Sequence, residues 1–258
     1  RLRIRSLIES LKYKNEESEP VRQDFVTTPE FLKKDVNKKI LVPFFSDFHS
    51  PFIPAFFKLI GYNFENMPPS DSDSVQYGLK YANNEICYPA TLVVGDCIRA
   101  MESGQYDRNN VVFAITQTGG QCRATNYIAL IKKALLSAGY GDIPVISISI
   151  MDTINEQSGF TPNVKRVVKI VIYLVFYADA LSKMYYSAAV REKEKGAALR
   201  IRDEYIALGV RAVEAKRSKD LVKLMAEAAQ KFDAISETKD VPRIGIVGEI
   251  FIKYNSFG

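Results

Sequence analysis

From Lys39 to Ile150 the chain alternates compact apolar runs with amphipathic stretches of helical period, and this alternation restricts the fold more than any other feature. "KILVPFF" reads as a buried strand, and "HSPFIPAFFKLIGY" as the helix after it. Ser50 is expected at its N-cap, Pro51 at its first position and Gly61 at its stop. "YNFENMP" is a weaker strand. The polar turn "PSDSDS" supplies caps for a helix through Val75, Leu79 and Tyr81, and "CYPATLVVGDCIRAMESGQY" is a helix with Pro89 near its start and Gly104 past its end. "NVVFAITQ" is a strand of buried type, "CRATNYIALIKKALLSAGY" a helix closing at Gly139, and "IPVISISI" a further strand. Strands that alternate with helices in this way predict an α/β fold: a Rossmann-like, doubly wound parallel sheet of about four strands.

The pattern then changes. Val164 to about Phe232 holds three long helical stretches without a convincing strand between them, which predicts a helical insertion. At "VPRIGIVGEIF", Val241 to Phe251, an apolar run with a glycine break predicts the start of a second α/β unit. The expected organisation is a lead-in helix and linker at 1–37, the Rossmann-like domain at 38–150, the helical segment at 151–240 and the first strand of a truncated second unit at 241–258. The lead-in stretch carries Leu2, Ile4, Leu7, Ile8 and Leu11 near helical spacing.

With 258 residues at 47% hydrophobic, the chain can bury a substantial core. Its 35 basic and 30 acidic residues are too balanced to suggest a nucleic-acid binder from composition alone. Between Lys183 and Lys223 there are 11 Lys/Arg against 6 Asp/Glu, a difference equal to the whole net charge of +5. A solvated helical face accounts for that surplus more simply than an anion-binding patch. Three cysteines do not make a disulfide scaffold, and no signal peptide is evident, so a reducing cytoplasm is expected. The most apolar run, "VVKIVIYLVFYADAL" from Val167 to Leu181, is shorter than the ~20 residues of a membrane span and contains Lys169, so it reads as a buried helix. The chain starts at Arg1 rather than methionine and ends in "GEIFIKYNSFG", which points to a fragment of a longer protein.

In an open parallel sheet the ligand crevice forms at the carboxyl ends of the strands, where helix N-termini converge. Asp47 and His49 are expected there after the first strand, Gln117, Thr118, Gly119, Gly120 and Cys122 after the third, and Glu249 after the last. Cys87 precedes a helix marked by Pro89, so its sulfur should face a helix start as well. Such a position favours thiolate, the form that attacks electrophiles and ligates metals. Cys87 and Cys122 are 35 positions apart, so any shared site must be assembled by the fold. Cys97, ten residues into the Cys87 helix, is ~15 Å further along its axis and reads as a small buried side chain. Neither GxGxxG nor GxxxxGK[ST] occurs, so neither a dinucleotide nor an NTP site is supported. The two glycines of "QTGGQC" would let several backbone amides approach an anion or inorganic sulfide.

The stretches "LKYANNEICYPATLVVGD", "QTGGQCRATNYIALIKKAL" and "IPVISIS" occur in order between about Lys38 and Ser149. This region resembles the uncharacterised α/β region of the large acyl-CoA dehydratase activase-like (CoA-substrate-specific enzyme activase) proteins. That region is similar to the iron–sulfur subunits of 2-hydroxyacyl-CoA dehydratases and to double-cubane cluster proteins. "PRIGIVGEIF" looks like the start of the second α/β unit of the same family. The resemblance implies a cysteine-ligated [4Fe–4S]-type cluster between two Rossmann-like units, supplied with low-potential electrons by an ATP-dependent activase domain or protein and serving an acyl-CoA or another hard-to-reduce substrate. It places Cys87 and Cys122 at ligand positions and Gly119, Gly120, Arg123 and Asn126 in the surrounding motif. His49 falls at the family's histidine after the first strand, and Glu249 in its Gly-Glu pair. Such a cluster takes three or four thiolates, so further ligands are expected from elsewhere in a larger chain, another subunit or an exchangeable small molecule. Two other readings stay open. One is a non-catalytic interaction or regulatory module that binds a partner domain through the basic helical segment. The other is a nucleophile enzyme with Cys122 activated by His49.

Overall fold

The computed structural model describes residues 27–83, 85–117, 126–148, 157–161, 164–242, 244–245, 247–248 and 253–257, with 164–167 as backbone. Four strands, β1 (Lys39–Val42), β2 (Phe64–Asn66), β3 (Val111–Thr116) and β4 (Val145–Ile148), form one all-parallel open sheet in the order β2-β1-β3-β4. Among the described residues seven α-helices accompany it: α1 (Phe52–Leu59), α2 (Ser72–Tyr81), α3 (Tyr88–Glu102), α4 (Tyr127–Ser137), α5 (Val164–Ala189), α6 (Ala197–Glu214) and α7 (Asp220–Ile235). This is the α/β, Rossmann-like architecture that the alternating pattern predicts.

Strand period two sorts the core into two layers. Leu41, Phe113, Ile115 and Val145 face α3 and α4, packing with Leu92, Ile98, Ile131 and Leu135. Ile40, Val42, Val112, Ala114 and Ile146 face the other way, onto Phe57 of α1, Phe64 and Phe31. Buried side chains on both faces explain why β1 and β3 read as continuous apolar runs. The stacked rings of Phe57 and Phe64, 3.6 Å between centroids, close the second layer.

α1 also joins the sheet to the helical segment. Phe57 points to the sheet, whereas Phe52 and Ala55 pack with Leu174, Tyr177 and Leu181 of α5, Ile201 and Tyr205 of α6, and Leu221 and Phe232 of α7. Gly209 makes this junction possible. A Cβ there would lie 2.7 Å from the Tyr177 ring and 2.9 Å from the Phe52 ring, so only glycine admits both.

Most caps are as expected. Asp71 accepts from the Ser74 N–H at 3.0 Å and closes a capping box at α2; Pro89 sits in the first turn of α3; Gly61, Gly104 and Gly139 have φ of +89°, +68° and +84° past their helices. Two expectations are corrected. Ser50 does not cap α1: its hydroxyl accepts from the Phe45 and Ser46 N–H groups at 2.8 and 3.0 Å, bracing the loop after β1, and Pro51 takes the cap position. The Val167–Leu181 run is not a helix buried all round. Leu174, Tyr177, Ala178 and Leu181 are buried, but Ile172, Val175 and Phe176 are exposed, because α1, α6 and α7 cover one side of α5. No helix among the described residues is long and apolar enough to cross a membrane.

The 241–258 segment lies partly outside the described residues, Glu249 included. Its described members belong to no strand, and Ile244 and Val247 are 84% and 96% exposed. Residues 253–257 fold back on the loop after β1, where Asn255 is buried and donates to the Phe44 carbonyl at 3.3 Å. The lead-in helix expected before residue 27 also lies outside the described residues.

Candidate functional site

β1 and β3 are adjacent in the sheet, while the chain leaves them toward opposite edges. The crevice that such a reversal opens lies at their carboxyl ends, beside the loop after β1. The first wall is well built. Ser50 braces the loop, and Nδ2 of Asn66, the last residue of β2, donates to the Ser50 carbonyl at 2.7 Å. Ser46 is buried, and its hydroxyl contacts His49 Nδ1 at 3.0 Å. His49 Nε2 lies 3.0 Å from a carboxylate oxygen of Asp179 on α5, and the Tyr254 ring stands edge-on to the imidazole at 6.2 Å. An ionised carboxylate only accepts, so Nε2 donates to Asp179.

The second wall starts at Cys87. It is the N-cap residue of α3, with φ −69° and ψ 150°, and is half-buried. Its sulfur lies 3.3 Å from the hydroxyl of Tyr127, the first residue of α4. The starts of α3 and α4 therefore meet at the carboxyl rim of the sheet, the setting expected for Cys87. Asn126 is the N-cap residue of α4 and makes no side-chain cap hydrogen bond. Gly119, Gly120, Cys122 and Arg123 lie outside the described residues, as does Thr118.

Cys97 is 1% exposed, and burial, reinforced by the neighbouring Asp96 charge, pushes its thiol well above the ordinary value. Asp96 belongs to a polar cluster between α2 and α3. Ser70 donates to Asp96 Oδ2 at 2.8 Å, and Arg99 pairs with Asp71 and donates to the Pro68 and Pro69 carbonyls at 2.9 Å each. The cluster lies more than two helical turns from Cys87.

Among the described residues, no three His, Cys, Asp or Glu side chains gather into a metal-binding group. The thiol of Cys87 fits one cluster-ligand position by type, rim placement and partial exposure. His49 has both ring nitrogens engaged, by Ser46 and Asp179. Sequence reasoning did not find Asp179 or Tyr254, which reach His49 from far along the chain and carry no local signal. Tyr127 stood inside the quoted "CRATNY" motif without an assigned role.

No protein-family model, no curated protein and no solved structure matches this chain.

Proposed function

We propose that the chain is an iron–sulfur protein related to the 2-hydroxyacyl-CoA dehydratase and activase system, working in a reducing compartment such as the cytoplasm. Cys87 and Cys122 would provide two thiolate ligands of a [4Fe–4S]-type cluster, whose chemistry is low-potential electron transfer. The remaining ligands would come from another part of the assembly or from a small molecule. An ATP-dependent activase is the expected electron donor, and an acyl-CoA the expected class of substrate.

The contact between Cys87 Sγ and Tyr127 Oη, 3.3 Å across 40 positions, is the observation that supports this reading best. It draws the start of α3 to the start of α4, and Cys122 precedes Tyr127 by five residues, a span of at most ~17 Å. A Cys87 thiolate could only accept in this contact, so the Tyr127 hydroxyl would donate to it, and hydrogen bonds of this type tune thiolate ligands. His49 and its partners would form the opposite wall.

The test is anaerobic reconstitution with ferrous iron and sulfide. Bound iron and a broad charge-transfer absorbance are expected in the wild-type and Cys97→Ala proteins, and their loss in Cys87→Ala and Cys122→Ala. Iron content unchanged in both of the latter variants ends this reading.

The alternative reading is a non-catalytic interaction or regulatory module that binds a partner domain through the basic helical segment. Arg200 pairs with Glu194, while Arg202 pairs with Asp203 and lies over the Phe48 and Tyr185 rings. Charge reversal at Arg200, Arg202 and Arg211 should weaken association with a partner domain if those arginines carry it.

A further inference from the structure

The exposed side of α5 has an order that a solvated helix does not need. Ile172, Phe176, Asp179, Lys183 and Tyr186, with Val190 just past the helix end, are spaced 4-3-4-3-4 and are all exposed. Phe176 is 68% exposed, Tyr186 58% and Val190 54%. That spacing is the heptad seam by which one helix packs along another, and here it runs for about 27 Å at ~1.5 Å per residue. Exposed apolar side chains paired at both ends of such a row, as here on either side of Asp179 and Lys183, mark an interface more often than a free surface.

The row is complementary to itself when reversed. Laid antiparallel on a second α5 about a twofold axis, Ile172 meets Val190 of the other copy, Phe176 meets Tyr186, and Asp179 meets Lys183. Each of these pairs then recurs on the far side of the axis. A twofold contact requires this reciprocity, because the same patch serves both partners. The charges fit as well. Lys183 forms no ion pair among the described residues, and Asp179 uses Oδ1 for His49, which leaves its second oxygen able to accept from a lysine.

We propose that this face of α5 binds a second copy of the chain as an antiparallel two-helix seam. Aromatic and aliphatic layers lie at both ends, and a reciprocal pair of Asp179–Lys183 bridges occupies the middle. The seam is narrow compared with a standard interface, so the dimer forms in the micromolar range rather than the nanomolar. The inference does not depend on iron or on the cysteines.

Sedimentation over a concentration series tests it. The wild-type chain should pass from monomer to dimer. Phe176→Asp, which puts charge into an apolar layer, should raise the dissociation constant at least about tenfold. Lys183→Glu and Asp179→Lys should each weaken the dimer by about tenfold, because each creates like-charge contacts. The double exchange Asp179→Lys with Lys183→Asp should return it to within about threefold of wild type, since the bridges re-form reversed. Lys183→Glu leaves the His49 contact intact, and far-UV circular dichroism verifies folding in each case. A wild-type chain that stays monomeric at all concentrations overturns the proposal. So does a dimer that ignores Phe176→Asp, or one that the double exchange fails to restore.

Discussion

His49 Nε2 and the Asp179 carboxylate, 130 positions apart, stand 3.0 Å from each other and tie the loop after β1 to the middle of α5. Two separately packed layers meet at this bond: the sheet with its flanking helices, and the α5–α7 layer that rests on α1. The Ser46 contact on the other ring nitrogen fixes the imidazole plane, so any shift of α5 is felt in the backbone of the loop.

Removing this tie should loosen α5 more than it destabilises the whole chain. Asp179 is mostly exposed, so solvent screens the pair, and His49→Ala should cost about 1 kcal/mol. Asp179→Asn keeps an acceptor for Nε2–H and should lose roughly half of that. Hydrogen exchange should quicken around Leu174–Leu181 in His49→Ala while β3 keeps its protection. Equal acceleration in both regions would show that the bond is not a local tie.

Gly95 and Gly78 let α2 and α3 touch through their backbones. A Cβ on Gly95 would lie 1.7 Å from the Ser74 carbonyl oxygen, and one on Gly78 2.1 Å from the Thr91 carbonyl oxygen. Alanine at 95 gains about 1 kcal/mol of helix propensity, but it must push the two helices apart at a cost of about 3 kcal/mol or more. The clash wins. The melting temperature of Gly95→Ala should fall by roughly 5–10 °C, and an unchanged one would refute backbone-to-backbone packing at this crossing.

The two described cysteines should differ in reactivity under native conditions. Cys87 is half-buried at the rim, whereas Cys97 is enclosed between α3 and the sheet, with its thiol held protonated by burial. Maleimide labelling followed by peptide mapping should modify Cys97 more slowly than Cys87 by roughly two orders of magnitude. Denaturant should abolish the difference, and comparable native rates would contradict the placement of Cys97.

The sheet was legible in the sequence because its physics is local. Strands buried on both faces give unbroken apolar runs such as "VVFAIT", and helix ends carry their own markers in Asp71, Pro89 and Gly104. Cys87 at a helix start follows from Pro89 alone. What could not be read depends on tertiary pairing: Asp179 beneath His49, Tyr127 against Cys87, and the glycines at the α2–α3 crossing. Ser50 shows the ambiguity in miniature, since one hydroxyl can serve the helix ahead or the loop behind, and three-dimensional context decides. The Val167–Leu181 run was apolar enough to suggest complete burial, yet only one side of α5 finds a partner within the described chain.

Asp96 should make stability depend on pH in a sense opposite to most carboxylates. It is 1% exposed, and burial raises its pKa from the ordinary 3.8 to about 6, with the Asp71 charge adding to the rise. Hydrogen bonds from Ser74 and Ser70 and the charge of Arg99 oppose the rise without overcoming it. The folded protein therefore holds this proton more tightly than the unfolded chain does. The resulting stabilisation is complete below about 3.8 and is lost as the pH rises through about 6. A rise of this size corresponds to at most about 3 kcal/mol. Asp35, Asp71, Asp142 and Glu192 have lowered values, so their contributions are lost as the pH falls, the opposite sense to Asp96. Asp96→Asn keeps an acceptor for Ser70 but has no proton to lose. Urea unfolding at a series of pH values should show wild-type stability falling between pH 3.8 and about 6 relative to Asp96→Asn, and parallel curves for the two proteins would rule out titration of Asp96 there.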